Sequence, residues 1–324
     1  MAMHAGPHDE QVFLNGAFVS RGEASMDVLD RGVVFADGVY EVVRFAEGRP
    51  FEMARHLARL ERSLAGIELP LPMMLGDVEQ ACCELVERRG LSDAKVYLQV
   101  TRGPAHRDHV MPERPTPTLL LVADAMPPLP SSDAPPATIR VTACEDNRWG
   151  DCWIKSLMLL PNSLAKTRAK RAGFDDAIFV RPPGRPSHPP TATDPAAHRG
   201  NADSIPLDGG EVTESTVANV LIVRNGTIHT HPADRRILGG ITREVLLELA
   251  RAEGIDIDET PVSLAEAKQA DELLVCGTTA ALLSVSRIDR VTLGDGAPGP
   301  MARTLHRLLM SRMRETCGHL SDVM

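Results

Sequence analysis

Lys155 lies in Trp153-Ile154-Lys155-Ser156-Leu157-Met158-Leu159-Leu160, an apolar neighbourhood in which a lone ammonium is costly to bury. Desolvation lowers a lysine pKa and leaves more of the neutral amine that attacks carbonyl carbon. By spacing alone the plainer reading is favoured: a lysine whose stem covers apolar surface while its ammonium reaches solvent. Gly239-Gly240-Ile241-Thr242-Arg243 precedes a helical pattern running through Val245, Leu246 and Leu249, with Thr242 well placed as N-cap. Backbone N–H groups at such a helix start can bind a phosphate dianion, although an ordinary glycine turn would look the same. Gly277-Thr278-Thr279, after the apolar Leu273-Leu274-Val275-Cys276, is a second donor-rich turn.

Glu214, in Val212-Thr213-Glu214-Ser215-Thr216-Val217-Ala218-Asn219, is by default a solvated loop carboxylate. Beside a pyridine ring it would instead stabilise the protonated ring nitrogen and thereby an electron sink. His229 and His231 could share a strand face as metal ligands, but no further ligand cluster completes a site, so no metal is expected. Cys144 or Cys152 could act as a nucleophile; a small buried hydrophobe is the commoner role.

Positioning these groups requires strands and helices, and the sequence marks many of them. Val12 to Val19 form two apolar runs about Asn15-Gly16, and Tyr40 to Phe45 turn near Glu47-Gly48; both read as hairpins. Leu57, Leu60, Leu64 and Ile67 keep helical spacing, as do Val78, Cys82, Leu85 and Val86. Strands are expected at Val96 to Thr101, Thr118 to Val122, Ile139 to Val141, Ala177 to Val180, Val217 to Val223 and Glu272 to Val275. Helices are expected at Ser163 to Arg171, Thr242 to Glu253 and after Pro300. Residues 126–136 carry five prolines and read as a linker, and 182–210 as a long irregular insertion. Strands and helices mix without strict βαβ alternation, which predicts an α+β architecture.

The chain of 324 residues suits about two domains, and its 43% hydrophobic content is that of a globular protein. A formal charge of -9 with no basic run argues against nucleic acid as a partner. No apolar stretch is long enough to span a membrane, and Met1 to Glu10 lacks the apolar segment of a signal peptide, so a cytoplasmic protein is expected. The six cysteines follow no C-x-x-C spacing and read as reduced thiols.

Taken together, the motifs resemble fold-type IV pyridoxal-phosphate enzymes, most closely bacterial D-amino-acid aminotransferases, from Val12 to about Ile288. The resemblance is carried, in order, by Asp30-Arg31-Gly32, Phe35-Ala36-Asp37-Gly38-Val39-Tyr40-Glu41-Val42-Val43, His56-Leu57-Ala58-Arg59-Leu60, Gln99-Val100-Thr101-Arg102-Gly103 and Ile154-Lys155-Ser156-Leu157. It continues through Thr213-Glu214, Thr230-His231-Pro232, Ile237 to Arg243 and Asp271-Glu272-Leu273.

The resemblance implies a small N-terminal domain at 1–125, a linker at 126–137 and a larger pyridoxal 5'-phosphate-binding domain at 138–324, with the cofactor cleft between the domains. It also implies that Lys155 holds the cofactor as a Schiff base and that Glu214 pairs with the ring nitrogen. Arg59, Ile241, Thr242 and Thr278 would bind the phosphate, and Leu238 would pack on the ring. Tyr40, Arg107 and His109 would form the clamp for the substrate carboxylate, the last two on a loop that serves the neighbouring subunit of a homodimer. The implied reaction is ping-pong transamination between a D-amino acid and a 2-oxo acid, pyruvate or 2-oxoglutarate. The same scaffold carries branched-chain L-amino-acid aminotransferases and aminodeoxychorismate lyases, and a catalytically silent cofactor-binding protein is the non-enzyme alternative. Two departures stand out: Ser215-Thr216-Val217-Ala218 where D-specific members carry a run of serines, and the insertion at 182–210.

Overall fold

The computed structural model describes residues 10–183 and 207–318. The chain divides into two compact units. The first takes the described residues up to Ser131, together with Ile154–Met158 and the described residues from Met310 onward; the second takes Ser132–Trp153 and the described residues of Leu159–Leu309. The boundary expected from sequence put everything after residue 137 in one domain. Five residues around Lys155 and the described residues from Met310 belong instead with the first unit, the former because their backbone pairs with a strand there, as described below.

In the first unit a six-stranded antiparallel sheet runs in the order β2-β1-β6-β5-β3-β4. Its strands are β1 Gln11–Leu14, β2 Ala17–Ser20, β3 Gly38–Ala46, β4 Arg49–Pro50, β5 Ala94–Thr101 and β6 Thr118–Ala125. The two expected hairpins are both present. Asn15 and Gly16 take φ of 49° and 92°, and Glu47 and Gly48 take 51° and 75°, the positive values that match a tight turn to strand twist. Helices α2 (Met53–Gly66) and α3 (Leu75–Arg88) cover the sheet, α2 against β3 and α3 against β1, β5 and β6. Leu57, Leu60 and Leu64 of α2 and Val78, Cys82, Leu85 and Val86 of α3 are buried, as their spacing predicted. Each large aliphatic side chain so buried contributes about 1.5–3 kcal/mol. A five-residue helix that the sequence reading missed, α1 Arg31–Phe35, is capped by Asp30, whose side chain accepts from the Gly32 N–H.

The second unit is built on β7 (Thr138–Glu145), β8 (Asp176–Arg181), β9 (Glu211–Ser215), β10 (Asn219–Arg224), β11 (Thr227–His229), β12 (Ile257–Asp258), β13 (Glu272–Gly277), β14 (Ala281–Ile288) and β15 (Val291–Thr292). Their order is β12-β11-β10-β13-β14-β7-β8-β9, and β9 also pairs β10 through Glu214 and Asn219, so the strands from β10 to β9 close into a ring. Val141, Ile178, Val180, Val220, Leu273 and Val285 join one buried apolar cluster. β8, β10 and β13 are buried along almost their whole length, which is why they read as continuous apolar runs rather than alternating ones. Helices α4 (Leu160–Arg171), α5 (Ile241–Ala252), α6 (Leu264–Ala267) and α7 (Pro300–Cys317) complete the set among the described residues.

Three expectations need correction. Val217 and Ala218 do not start a strand; they form the turn between β9 and β10, and Glu214 sits on the buried β9 rather than in a solvated loop. Thr242 is not the N-cap of α5, a place taken by Gly240 without any side-chain cap. Of the insertion expected at 182–210, residues 184–206 lie outside the described residues. The chain leaves β8 and re-enters β9 at adjoining points: Arg181 pairs with Glu211, and a Cβ at Gly209 would touch Pro183 at 3.4 Å.

Candidate active site

Lys155 is fixed by its backbone. Its carbonyl accepts from the Tyr40 N–H at 2.9 Å, and the Leu157 N–H donates to the Gly38 carbonyl at 3.0 Å, which lays residues 155–157 alongside β3. The Lys155 N–H also donates to the Ser63 hydroxyl of α2 at 3.2 Å. The half-buried side chain brings Nζ to 4.2 Å from the centre of the Tyr40 ring, a cation–π contact. Tyr40 in turn lies 5.6 Å from the Tyr97 ring, whose hydroxyl donates to Gln99 at 2.7 Å.

Glu41, the next residue along β3, projects to the opposite sheet face. There it accepts from Arg59 Nε at 2.7 Å and Nη2 at 2.8 Å, and pairs with His56 Nδ1 at 2.8 Å. Burial works to raise the Glu41 carboxyl, but the Arg59 guanidinium and then His56 hold it well below the usual carboxylate range. Burial pushes the His56 imidazole down. Arg59, expected to meet a phosphate, is thus held in a fixed plane by a carboxylate, a partner that the sequence reading did not assign.

The segment carrying Arg107 and His109 leaves the sheet after Thr101 and returns at β6. Gly103, at φ 81°, makes the close approach at its base, where any Cβ would lie 1.7 Å from the Thr116 carbonyl oxygen. Arg107 and His109 are both exposed. Each lies against Phe35 of α1, the Arg107 guanidinium 5.2 Å and the His109 ring 5.5 Å from the Phe35 ring centre.

In the second unit Glu214 is buried and fully oriented. Oε1 accepts from the Leu238 N–H at 3.1 Å and from Asn219 Nδ2 at 3.0 Å, while Oε2 accepts from Arg148 Nη1. Arg148 also donates to Asp146 from Nε at 3.0 Å and Nη2 at 2.8 Å, and lies over the Phe179 ring. Burial pushes the Glu214 carboxyl up, opposed by Arg148; the guanidinium, between Glu214 and Asp146, stays charged well above its ordinary range.

Asn219 gathers the other predicted residues of this unit around Glu214. Its amide also donates to the Leu238 carbonyl at 2.8 Å, and its backbone pairs with Cys276 at the end of β13, next to the turn that carries Thr278. A Cβ at Gly240 would lie 1.9 Å from Asn219 Oδ1, so only glycine lets the start of α5 approach this closely. The N–H groups of Ile241 and Thr242 and the Thr242 and Thr278 hydroxyls have no hydrogen-bond partner among the described residues. The hydroxyls of the β9–β10 turn are already engaged: Thr216 donates to Asp176, and Ser215 accepts from the Ala218 N–H at 3.1 Å. Sequence reading missed Arg148 and Asn219, and only Asn219 left a trace, as the last residue of the segment around Glu214.

A profile of the family Amino-transferase class IV matches residues 38–187 and 190–288. The chain belongs to the class IV aminotransferases. D-alanine aminotransferase of Listeria monocytogenes serotype 1/2a is 35% identical over 312 residues, 96% of this chain and 98% of that one. Among solved structures, the branched-chain amino acid aminotransferase of Escherichia coli superposes with a TM-score of 0.79 at 19% identity, covering 97% of this chain and 98% of that one. The branched-chain enzyme of Thermoproteus uzoniensis, solved with norvaline, superposes at 0.75 and 23%, covering 94% and 96%. At these identities the solved structures establish the α+β fold and no more. As a class IV aminotransferase the chain is an enzyme and depends on pyridoxal phosphate, so the catalytically silent alternative is set aside.

The residues fit that cofactor. An ionised carboxylate offers about four acceptor positions. Leu238, Asn219 and Arg148 fill all but one of those on Glu214, leaving a place for a protonated ring nitrogen. The uncapped start of α5 supplies unspent donors of the kind a phosphate requires. Among the described residues no helix is long and apolar enough to cross a membrane, and all six cysteines are free thiols.

Proposed function

We propose that this aminotransferase moves an amino group between a D-amino acid and a 2-oxo acid, pyruvate or 2-oxoglutarate, by ping-pong exchange. Pyridoxal phosphate, when bound, supplies an aldehyde for the amino group and a ring that takes up the electrons released at Cα. Lys155 carries the cofactor and, once its amine is free, moves the proton at the substrate Cα. Glu214, kept in place by Arg148 and Asn219, would pair with the protonated ring nitrogen. The donors of Ile241, Thr242 and Thr278, and Arg59, would take the phosphate, and Leu238 would pack on the ring.

The observation that carries the D-amino-acid reading is Arg107. Its guanidinium is exposed, rests on an aromatic ring and makes no hydrogen bond among the described residues, so all its donors remain for a carboxylate. With His109 and Tyr40 it forms the carboxylate clamp that selects the substrate's hand. The end-to-end similarity to a D-alanine aminotransferase supports the same reading.

The functional unit of this proposal is a homodimer in which the Arg107 and His109 loop serves the neighbouring subunit's site. Val28, Leu29, Val33, Val110 and Met111 are all exposed. Leu29 and the 104–108 segment lie side by side through the Ala105 N–H to Leu29 carbonyl contact and the Arg31 to Asp108 carbonyl bond. An apolar patch of this kind favours burial against a second copy. Free thiols suit the reducing cytoplasm in which we place the enzyme.

Separate incubations with D-alanine, L-leucine and aminodeoxychorismate test the substrate. D-alanine alone is expected to bleach the visible band of the bound cofactor, and bleaching only by the other two overturns the assignment. Borohydride reduction followed by peptide mapping is expected to find the cofactor on Lys155, and Lys155→Ala to abolish both the labelling and the transamination.

A further inference from the structure

We infer that Phe35 is the positioning residue of the carboxylate clamp, the surface that aims Arg107 and His109 without consuming their hydrogen-bonding groups. The inference rests on the reading of Arg107 and His109 given above and adds what holds them.

Both side chains are exposed and sit on a segment without regular structure, where long polar side chains ordinarily sample many rotamers. Both nevertheless meet one ring: Arg107 lies over Phe35 at 5.2 Å, and His109 packs on it at 5.5 Å with the planes tilted by 52°. A hydrogen-bonding partner would orient Arg107 only by occupying N–H groups that a carboxylate needs. A π face orients the guanidinium through its flat side and leaves the in-plane donors open.

The ring is itself fixed. α1, the helix that ends in Phe35, is tied to the base of the clamp segment by the Arg31 N–H, which donates to the Gly103 carbonyl at 2.9 Å, and by the bridge between Asp30 and Pro104. Arg31 also lies over Phe35, at 4.7 Å, and donates to the Asp108 carbonyl, the residue between the two clamp side chains, at 2.6 Å. Two cations on one ring would repel, but only one of them is uncompensated. Arg31 Nε and Arg102 Nε both donate to Asp37 Oδ2, at 2.7 and 2.8 Å, and against its burial the two guanidiniums hold the Asp37 carboxyl below its ordinary range. Arg107 has no carboxylate partner among the described residues. Phe35 thus presents one neutralised arginine inward as an anchor and one free arginine outward as a receptor.

The test compares Phe35→Leu, Phe35→Trp and Arg107→Ala in the full-length holoenzyme, with D-alanine as donor. Phe35→Leu is expected to raise KM roughly three- to tenfold with kcat nearly unchanged, and to weaken binding of acetate, the bare carboxylate, by a similar factor in calorimetry. Phe35→Trp, which restores a π face, is expected to recover both, and Phe35→Leu in an Arg107→Ala background to add less than it does alone, only the part that acts through His109 remaining. Normal KM and acetate affinity in Phe35→Leu, alongside a raised KM in Arg107→Ala, overturns the role of Phe35 and leaves the clamp standing. An unchanged KM in Arg107→Ala overturns the clamp and the inference together. Should Phe35→Leu fail to fold, Phe35→Met, an unbranched replacement for the same space, carries the comparison with the same outcomes.

Discussion

Glu41 and Glu214 are both buried carboxylates opposite an arginine, yet their surroundings push them in opposite directions. Glu41 is held ionised by Arg59 and His56. Its folded pKa lies below the ordinary value of 4.5, so its contribution to stability is complete above that value and drains away as pH falls below it, where the unfolded chain binds more protons. Thermal unfolding followed from pH 7 to 3 is expected to show a falling midpoint below about 4.5, with a shallower fall in Glu41→Gln. Removing one partner of such a buried pair costs about 3–5 kcal/mol, which urea unfolding of Glu41→Gln should register near neutral pH. Glu214 is pushed up by burial and restrained by Arg148. Arg148→Met therefore raises it further and is expected to move the acid limb of the pH–rate profile to higher pH, measured at saturating cofactor. The roles proposed for Lys155 and Glu214 came from the recognisable runs of neighbours in which each stands. Arg148 was not, since it sits 66 residues before the carboxylate it serves and no local pattern links the two.

Among elements, those whose signals are local were readable. Asn15-Gly16 and Glu47-Gly48 announce hairpins through residues that tolerate positive φ, and α2 and α3 announce their buried faces through spacing. α1 escaped because its five residues complete little more than one turn, too few to set a period. α6 escaped although Ser263 and Glu266 form a capping box, a signal that was available three residues apart. Between Val212 and Val223 only one strand was expected, starting at Val217, and the strand carrying Glu214 was missed, since the turn between the two is made by Thr216, Val217 and Ala218, residues with none of the usual marks of a turn. The start of α5 was misjudged for a related reason: Thr242 has the chemistry of a cap, but Gly240 holds the position because Asn219 leaves no room for a Cβ. Gly240→Ala is expected to displace Asn219, cost about 1–3 kcal/mol in stability and weaken retention of the cofactor, read as faster loss of its visible absorbance on dialysis.

For the whole molecule, composition and alternation gave the α+β class, but the closure of the second unit's strands could not be read. It depends on pairings such as Thr138 with Ser284, brought together across almost half the chain. Assembly is a property of the same scale. Val33→Glu with Val110→Glu places two charges in the exposed apolar patch and is expected to shift the proposed dimer toward monomer in sedimentation velocity. Under the proposed assembly D-alanine turnover should be lost in proportion, since a clamp lent by one subunit would no longer reach the other.

The meeting of Pro183 and Gly209 beside the paired Arg181 and Glu211 has a practical side. Ends held this close bring the two strands together through their own pairing, and each doubling of a flexible connection placed between them would cost only about 0.6 kcal/mol. This junction is therefore a natural splice point. A reporter domain whose own termini lie near each other could be grafted there, or the connection cut to a short turn, with Glu214 left on the strand where it stands.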